Sequence, residues 1–236
     1  MKAKHLLPIL LLLFTGCKKI NEVPDNISIV KPPQGLIDSL KAFFPESENT
    51  FFADPDLFSA VCLKNIVLTK ETEVYVTFMD EGADFKNSLC WYSYNKYISV
   101  PTKVADIKGN VVFPNISKTG EGGLLESGYT LQLGTGKFPA GTVIGFFLVQ
   151  DGWKDGTIDY SRPTFYTDYD LNTGGRQQHI LFKNLFYKYI LIGFEDIEFD
   201  NNLLCDRDFN DIIFSVTDNK EGNEATSFDL SNVIVK

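Results

Sequence analysis

The fold is decided by a stretch that reads Tyr189-Ile190-Leu191-Ile192-Gly193-Phe194-Glu195-Asp196, an apolar segment that ends in two acids. Ten residues after Asp196 begins a second stretch, Asp206-Arg207-Asp208-Phe209-Asn210-Asp211, which leads into the apolar segment Ile212-Ile213-Phe214-Ser215-Val216. Short apolar runs bounded by polar turn residues predict β-strands, so we expect an antiparallel hairpin. The end of its first strand then lies beside the start of its second, which brings the two acidic groups together.

Oxygen-bearing side chains dominate this hairpin and indicate a metal site. Five carboxylates held close together repel one another and raise one another's pKa values, and a bound cation relieves this repulsion. Ca²⁺ takes about 6–8 oxygen ligands at about 2.3–2.6 Å and tolerates irregular geometry. Zinc and copper favour nitrogen or thiolate ligands, for which Cys205 is the one soft candidate nearby. The sequence therefore predicts a calcium site formed by Glu195, Asp196, Asp206, Asp208, Asn210 and Asp211.

The spacing of Asp206, Asp208 and Asn210 matches the first three ligand positions of an EF-hand loop, but the rest of that motif is missing. Asp211 stands where an EF-hand has glycine, Thr217 stands where it has glutamate, and a strand follows where it has a helix. We therefore expect a calcium loop built on a β-hairpin. The alternative is an Asp- and Asn-rich turn whose side chains bind backbone amides.

The chain after residue 60 consists of short β-rich segments separated by Gly, Asn, Asp and Pro. Such a series without intervening helices predicts an all-β domain, a β-sandwich or jelly roll of antiparallel sheets, preceded by one short helix. The helix is expected over residues 36–44, where apolar residues recur at helical spacing until Pro45. The predicted strands are residues 66–68, 73–78, 89–94, 110–113, 129–133, 142–149, 164–166, 179–182, 189–194 and 212–216.

Residues 1–17 have the pattern of a secretory signal. Lys2 and Lys4 flank the start of an apolar run over residues 6–14, which is too short for a transmembrane helix. The small residues before Cys17 resemble the lipoprotein box of exported bacterial proteins of the Bacteroidetes type, which implies that Cys17 is lipidated. The alternative is an ordinary cleaved signal. We expect a signal peptide at 1–17, a proline-containing tether at 18–35, a helical lead-in at 36–60 and a β-sandwich domain at 61–236.

Charge and cysteine content limit the partners and the crosslinks. The net charge is −9 at pH 7, and loss of residues 1–17 removes two lysines and leaves −11. Because no basic stripe appears, we expect no nucleic-acid partner. Apart from Cys17, the chain has Cys62, Cys90 and Cys205, which form at most one disulfide or remain three buried thiols.

The hairpin residues also carry a resemblance to a known family. Glu195-Asp196 followed by the segment from Asp206 to Phe214 resembles the closing signature of the domain of unknown function 4114, a β-rich module of secreted and surface-anchored bacterial proteins. Further similarity lies in residues 76–92, residues 141–153 and Gln178-His179. The resemblance implies a β-rich fold and an ion site, and it brings no reaction.

Catalytic constellations are mostly absent from the sequence. Beyond residues 1–17 the one histidine is His179, which is flanked by Gln178 and Ile180 and is expected to be a hydrogen-bonded strand residue. Trp153 lies in a polar turn after the predicted central strand and is a candidate contact for a sugar or peptide. The alternative is a tryptophan that covers the open end of the sandwich.

The expected function is that of a non-enzymatic module. We expect an exported, lipid-anchored, calcium-stabilised β-sandwich that is held in the outer membrane through Cys17, at the periplasmic face or the cell surface. Its partner would be an unknown glycan or envelope protein. The alternative is an envelope glycan-active hydrolase that uses a carboxylate pair.

Overall fold

The structure, a computed structural model, describes residues 19–62, 64–222 and 224–236. It consists mainly of strands in antiparallel sheets, which confirms the expected all-β, sandwich-like class. The two α-helices in these residues are α1 (Gln34–Phe43) and α2 (Thr50–Ala53). The strands are β1 (Ser28–Ile29), β2 (Ile66–Val67), β3 (Tyr75–Glu81), β4 (Ser88–Asn95), β5 (Asn110–Phe113), β6 (Tyr129–Gln132), β7 (Thr142–Val149), β8 (Trp153–Lys154), β9 (Thr157–Ile158), β10 (Thr164–Tyr166), β11 (His179–Lys183), β12 (Ile190–Phe194), β13 (Ile212–Thr217) and β14 (Ile234–Val235).

Two sheets face each other across the main core. The larger sheet has seven strands in the order β1-β6-β3-β13-β12-β11-β14, and all its pairs are antiparallel except β11 with β14. The smaller sheet has the order β10-β7-β4-β5, and β2 also pairs with β7. A separate two-stranded hairpin is formed by β8 and β9. Buried aromatic and aliphatic side chains from both sheets meet between them, for example Phe146 and Phe214, whose ring centroids are 4.9 Å apart.

The central strands are apolar on both faces because the larger sheet is covered on its outer face as well. Ile192 of β12 belongs to the core between the sheets, whereas its neighbour Leu191 belongs to a second core. Leu36 and Leu40 of α1 are buried in that second core. The short helix therefore buries one apolar face against the outer side of the sheet, which explains the continuous apolar run of β12.

The ten predicted strands are all present, with boundaries that differ from the expected ones by up to three residues. The expected helix at residues 36–44 is α1, which begins two residues earlier and ends one residue earlier. The two-residue strands β1, β8, β9 and β14 were not predicted, because two residues are too few to show a period. No helix in the described ranges is long and apolar enough to cross a membrane.

The stretch predicted as a tether is packed on the sandwich wherever the structure describes it. The Ile20 N–H donates to the Gly156 carbonyl (2.9 Å), and the Val30 N–H donates to the Gly128 carbonyl (2.8 Å). Between them, β1 pairs with β6 and forms one edge of the larger sheet. Residues 19–35 are thus held against the fold. The signal residues 1–17, including Cys17, lie outside the described ranges.

The cysteines in the described ranges are separate. Cys62, Cys90 and Cys205 are all buried and none is bonded to another. Of the two alternatives left by the sequence, the three buried thiols are therefore the one observed.

Candidate metal centre

The predicted hairpin forms and brings its acids to one end of the sandwich. Strands β12 and β13 pair with Phe194 opposite Ile212, so Glu195 and Asp211 are the next residues beyond the last pair. The Asp196 N–H donates to Asp211 Oδ2 at 2.7 Å. The antiparallel register therefore places the acids that follow β12 beside the acids that precede β13, as the sequence predicted.

The loop between the two strands folds back onto β12 at Gly193. A Cβ at Gly193 would lie 2.4 Å from the Phe209 carbonyl oxygen, which leaves room for glycine alone without a shift of the backbone. Phe209 is fully buried in the core beneath α1. Glu195 fixes the same turn, because its Oε1 accepts the Phe209 N–H at 2.8 Å and its Oε2 accepts the Cys205 thiol at 3.1 Å.

The segment between α1 and α2 holds the loop from the other side. The Ser47 N–H donates to Asp208 Oδ2 (2.9 Å), and the Thr50 N–H donates to the Arg207 carbonyl (2.8 Å). Asn210 Nδ2 donates to the Phe44 carbonyl (3.1 Å) and also to Asp208 Oδ2 (2.9 Å). Residues 44–50, to which the sequence argument gave no part in the site, therefore form one wall of it.

Three carboxylates are close enough to share one ion. Glu46, Asp206 and Asp208 each offer an oxygen, and these oxygens lie within 4.8 Å of one another. Two oxygens bound to the same Ca²⁺ are at most about 5 Å apart, since each bond is about 2.3–2.6 Å long. Sequence reasoning missed Glu46, because it is an exposed acid in a segment about 160 residues before the loop and follows no ligand pattern.

The other predicted ligands surround this group in supporting positions. Asn210 holds Asp208 through both its backbone and its side chain. Asp196 Oδ2 accepts Asn87 Nδ2 at 2.7 Å, and Asp211 accepts the Asp196 backbone. The six predicted residues therefore gather in one region. Asp206 and Asp208 lie close to Glu46. Hydrogen bonds to other groups of the protein engage the side chains of Glu195, Asp196 and Asp211.

Burial makes ionisation of these acids unfavourable. It raises the pKa of Glu195 to about 7 and the pKa values of Asp196 and Asp208 to about 6. Burial also raises the pKa of Asp211 well above its usual value, and the charge of Asp196 adds to the effect. Repulsion from Asp206 contributes to the raised pKa values of Glu195, Asp196 and Asp208. Each of these buried acids therefore holds its proton to a higher pH than an exposed carboxyl does.

Arg207 lies between two of these acids in the sequence but does not pair with them. Arg207 Nη2 donates to the Phe199 carbonyl (2.7 Å), and the guanidinium lies over the Phe199 ring at 4.7 Å. Arg207 adopts a left-handed backbone conformation, with φ 65°, and its side chain contacts Phe199 and not the acids on either side of it. Within the described ranges no lysine or arginine forms an ion pair with Glu46 or with any predicted ligand.

His179 and Trp153 lie in ordered strands. His179 is fully buried in β11, and its Nε2–H donates to the Lys64 carbonyl at 2.8 Å. Burial lowers the pKa of His179 to about 3, so the ring is neutral at pH 7. Trp153 is half-buried in β8, and its backbone N–H donates to the Lys86 carbonyl at 2.9 Å. The polar turn predicted around Trp153 is therefore a two-stranded hairpin.

A cleft of about 490 Å³ lies beside the acidic loop. Phe85, Phe165 and Leu204 contribute apolar surface to it, and Gln150 and Gln178 contribute polar groups. Glu198 is the single carboxylate among its lining residues, whereas hydrolysis by the two-carboxylate mechanism uses a pair. The cleft therefore has the character of a small-ligand or side-chain pocket.

Comparison with known proteins supports the family resemblance. Residues 138–219 match the domain of unknown function DUF4114. The match includes β7 and the whole β12–β13 hairpin with its acids, while the similar segment at residues 76–92 lies outside it. No curated protein and no solved structure matches the chain.

Proposed function

We propose that this chain is an exported, lipid-anchored module whose β-sandwich is stabilised by calcium and which acts without catalysis as a binding or structural component of a bacterial envelope. The observation that carries the proposal is the group formed by Glu46, Asp206 and Asp208, whose oxygens lie within 4.8 Å of one another. Further acids are buried behind this group, and no described lysine or arginine forms an ion pair with them. A bound cation would supply the missing charge.

The ligand set favours calcium over softer metals. Three carboxylates provide three to six oxygens, and water and backbone carbonyls complete the shell of about 6–8 that Ca²⁺ takes. The nearest thiol, Cys205, donates a hydrogen bond to Glu195, and burial raises its pKa well above the usual value. A thiol that stays protonated is a poor zinc ligand, since the thiolate is the binding form.

The proposed action of the ion is to make one end of the sandwich rigid. Glu46 belongs to the segment between α1 and α2, whereas Asp206 and Asp208 belong to the loop between β12 and β13. An ion bound to all three would join these two parts of the chain. A ligand present at a hundred times its Kd stabilises the folded state by about 2.7 kcal/mol. For a domain of this size that is a rise in Tm of about 5–10 °C.

The proposed setting is the outer membrane, at its periplasmic face or at the cell surface. Lipidation of Cys17 would hold the chain there, as the lipoprotein-like segment before that residue indicates. The partner would be a glycan or an envelope protein, as in adhesion. The cleft bounded by Phe85, Gln150 and Leu204 supports a binding role, because it combines apolar surface with a few polar groups. The half-buried Trp153 remains a candidate contact for that partner.

Thermal unfolding of the purified full chain in detergent tests the calcium. We expect Tm to be higher by about 5–10 °C with excess Ca²⁺ than with chelator. Asp208→Asn should remove most of that difference, because it takes away one of the three charges while keeping the size of the side chain.

The matched control is Asp200→Asn, which changes an exposed acid in the same loop that pairs with Arg176. It should keep the full response to calcium. Equal melting curves with calcium and with chelator would contradict the proposed site. Equal loss in both variants would show that the effect is a general one of charge.

A further inference from the structure

Residues 19–22 are held against the sandwich by hydrogen bonds and side-chain contacts. The Ile20 N–H donates to the carbonyl of Gly156, in the turn between β8 and β9, at 2.9 Å. The Lys19 side chain covers the same turn, with carbons 3.2 Å from where a Cβ of Gly156 would lie. Glu22 Oε1 accepts Asn115 Nδ2 at 2.7 Å. The chain is therefore attached to the fold from its third residue after Cys17.

This attachment leaves almost no spacer between the fold and a lipid anchor. An extended chain covers at most about 3.3–3.6 Å per residue, so three residues span about 10 Å. The polar region of each bilayer leaflet is itself about 5–8 Å thick. We propose that in the lipid-anchored chain the β8–β9 end of the sandwich rests directly on phospholipid headgroups. This inference rests on the lipidation of Cys17 in the proposed function.

The candidate metal centre lies at the same end of the sandwich. The backbone N–H of Trp153 in β8 donates to the Lys86 carbonyl (2.9 Å), just before β4 begins. Asn87 joins the two features, because its Oδ1 accepts the Asp151 N–H (2.9 Å) and its Nδ2 donates to Asp196 (2.7 Å). The opposite end is reached through the eight residues of β4, Ser88–Asn95. Seven steps of about 3.4 Å place it about 24 Å further away.

The β8–β9 end of the sandwich, called the seated end below, has surface side chains that can interact with lipid headgroups. Lys19, Lys86 and Lys154 are exposed there, and lysine ammonium groups attract lipid phosphates. Leu203 and Leu204, in the loop beside the cleft, are 94% and 68% exposed. Exposed acids, Asp84 and Asp155, lie at the same end, so the charge there is mixed. The short chain to the anchor, more than charge, therefore determines which end faces the bilayer.

The test compares two probe positions on the full, lipidated chain in vesicles of phosphatidylcholine and phosphatidylglycerol that carry nitroxide-labelled headgroups. One fluorophore is attached at Lys154→Cys, in β8 at the seated end. The matched position is Ile98→Cys, an 84% exposed turn residue beyond the far end of β4. The native Cys62, Cys90 and Cys205 are buried, so wild-type chain measures background labelling.

Quenching at position 154 should be at least twice that at position 98. Equal quenching of the two probes, in chain that floats with vesicles and loses this property in Cys17→Ala, would overturn the seated orientation and leave the anchor intact. Wild-type chain that does not float with vesicles would overturn both the anchor and the seat. A probe at position 98 that is quenched more strongly would show that the opposite end faces the bilayer.

Discussion

Gly193 is the residue on which the position of the acidic loop depends. Alanine there would place a Cβ 2.4 Å from the Phe209 carbonyl oxygen, a backbone atom that cannot rotate away. We expect Gly193→Ala to lower the free energy of unfolding by about 1–3 kcal/mol, as overpacking does. The shift of Phe209 should also displace Asp208 and weaken the stabilisation by calcium. Urea unfolding with calcium and with chelator measures both effects.

Gly136→Ala is the control for this substitution. No atom lies within 4 Å of the position that a Cβ at Gly136 would take. This variant should unfold within about 0.5 kcal/mol of wild type, as exposed substitutions usually do. A Gly193→Ala chain as stable as Gly136→Ala would contradict the close approach of the loop to β12.

Asp208 gives the site a measurable pH dependence. Burial raises its folded-state pKa to about 6, above the value of about 4 in an unfolded chain. Below pH 4 the side chain is protonated in both states; as pH rises through 6, the folded state must ionise a buried acid and loses stability. In chelator, Asp208→Asn should therefore gain stability relative to wild type between pH 4 and about 6.5, and then level off.

Calcium should reverse the order of these two proteins at pH 7.5, because the ion binds the charged form of Asp208. Urea unfolding across the pH range, with and without the ion, provides the measurement. A difference between the two proteins that stays constant from pH 4 to pH 7 would show that Asp208 is not a buried ionising group.

The sequence predicted some residues of the site and missed others. The acids of the loop follow from their positions at the ends of two apolar runs, since strand pairing is a local rule. Glu46 does not, because its approach to Asp208 depends on how α1 packs on the sheet. Arg207 lies between two acids in the sequence, yet its backbone takes a φ of 65° and its guanidinium donates to the Phe199 carbonyl. A backbone conformation of this kind has no signature in the residue type of an arginine.

At the scale of elements, the segment between α1 and α2 is the unexpected part of the site. Glu46→Gln keeps the shape of the side chain and removes one of the three charges close to the proposed ion. We expect the calcium Kd to rise by about tenfold, which corresponds to about 1.4 kcal/mol. Isothermal titration calorimetry on chelator-treated chain gives the measurement.

The neighbouring Glu48 provides the comparison for this variant. It is exposed in the same segment and lies outside the group of three carboxylates. Glu48→Gln should keep the wild-type Kd within a factor of two or three. If both glutamines weaken binding equally, the segment acts through its overall charge, and Glu46 is not a ligand.

The elements themselves were predictable to the extent that they repeat a period. Strands such as β4 and β7, with eight residues each, show their alternation or their continuous apolar run clearly. The pairs β1 with β6 and β11 with β14 join residues far apart in the chain through two residues each. The local sequence gives no signal for such short strands, because pairing with the partner strand, and not an intrinsic preference, makes them extended.

At the scale of the whole molecule, the class of fold was predictable and the packing of residues 19–35 was not. Prolines and polar residues in this stretch favour an open linker, yet Val23 and Ile27 pack against the main core. The burial of these two side chains depends on the folded sheets, so the sequence of the segment alone does not predict it. Composition describes what a free segment would do, whereas the available core surface decides whether it stays free.

Each of the two edges of the larger sheet is formed by a strand of two residues, β1 at one edge and β14 at the other. We expect deletion of residues 234–236 to uncover β11, whose Lys183 carbonyl now accepts the Lys236 N–H at 2.9 Å. In sedimentation experiments the shortened chain should form larger species than the full chain does at the same concentration. Unchanged sedimentation would show that β11 is protected in another way.

Copies of a protein confined to one plane meet far more often than copies in solution, and always in similar orientations. Long unpaired strands would then join neighbouring molecules side by side into a continuous ribbon. A two-residue strand at each side, β1 and β14, offers too few free amides and carbonyls to start such growth. Under the proposed anchoring, neighbouring copies in the membrane are therefore expected to remain separate.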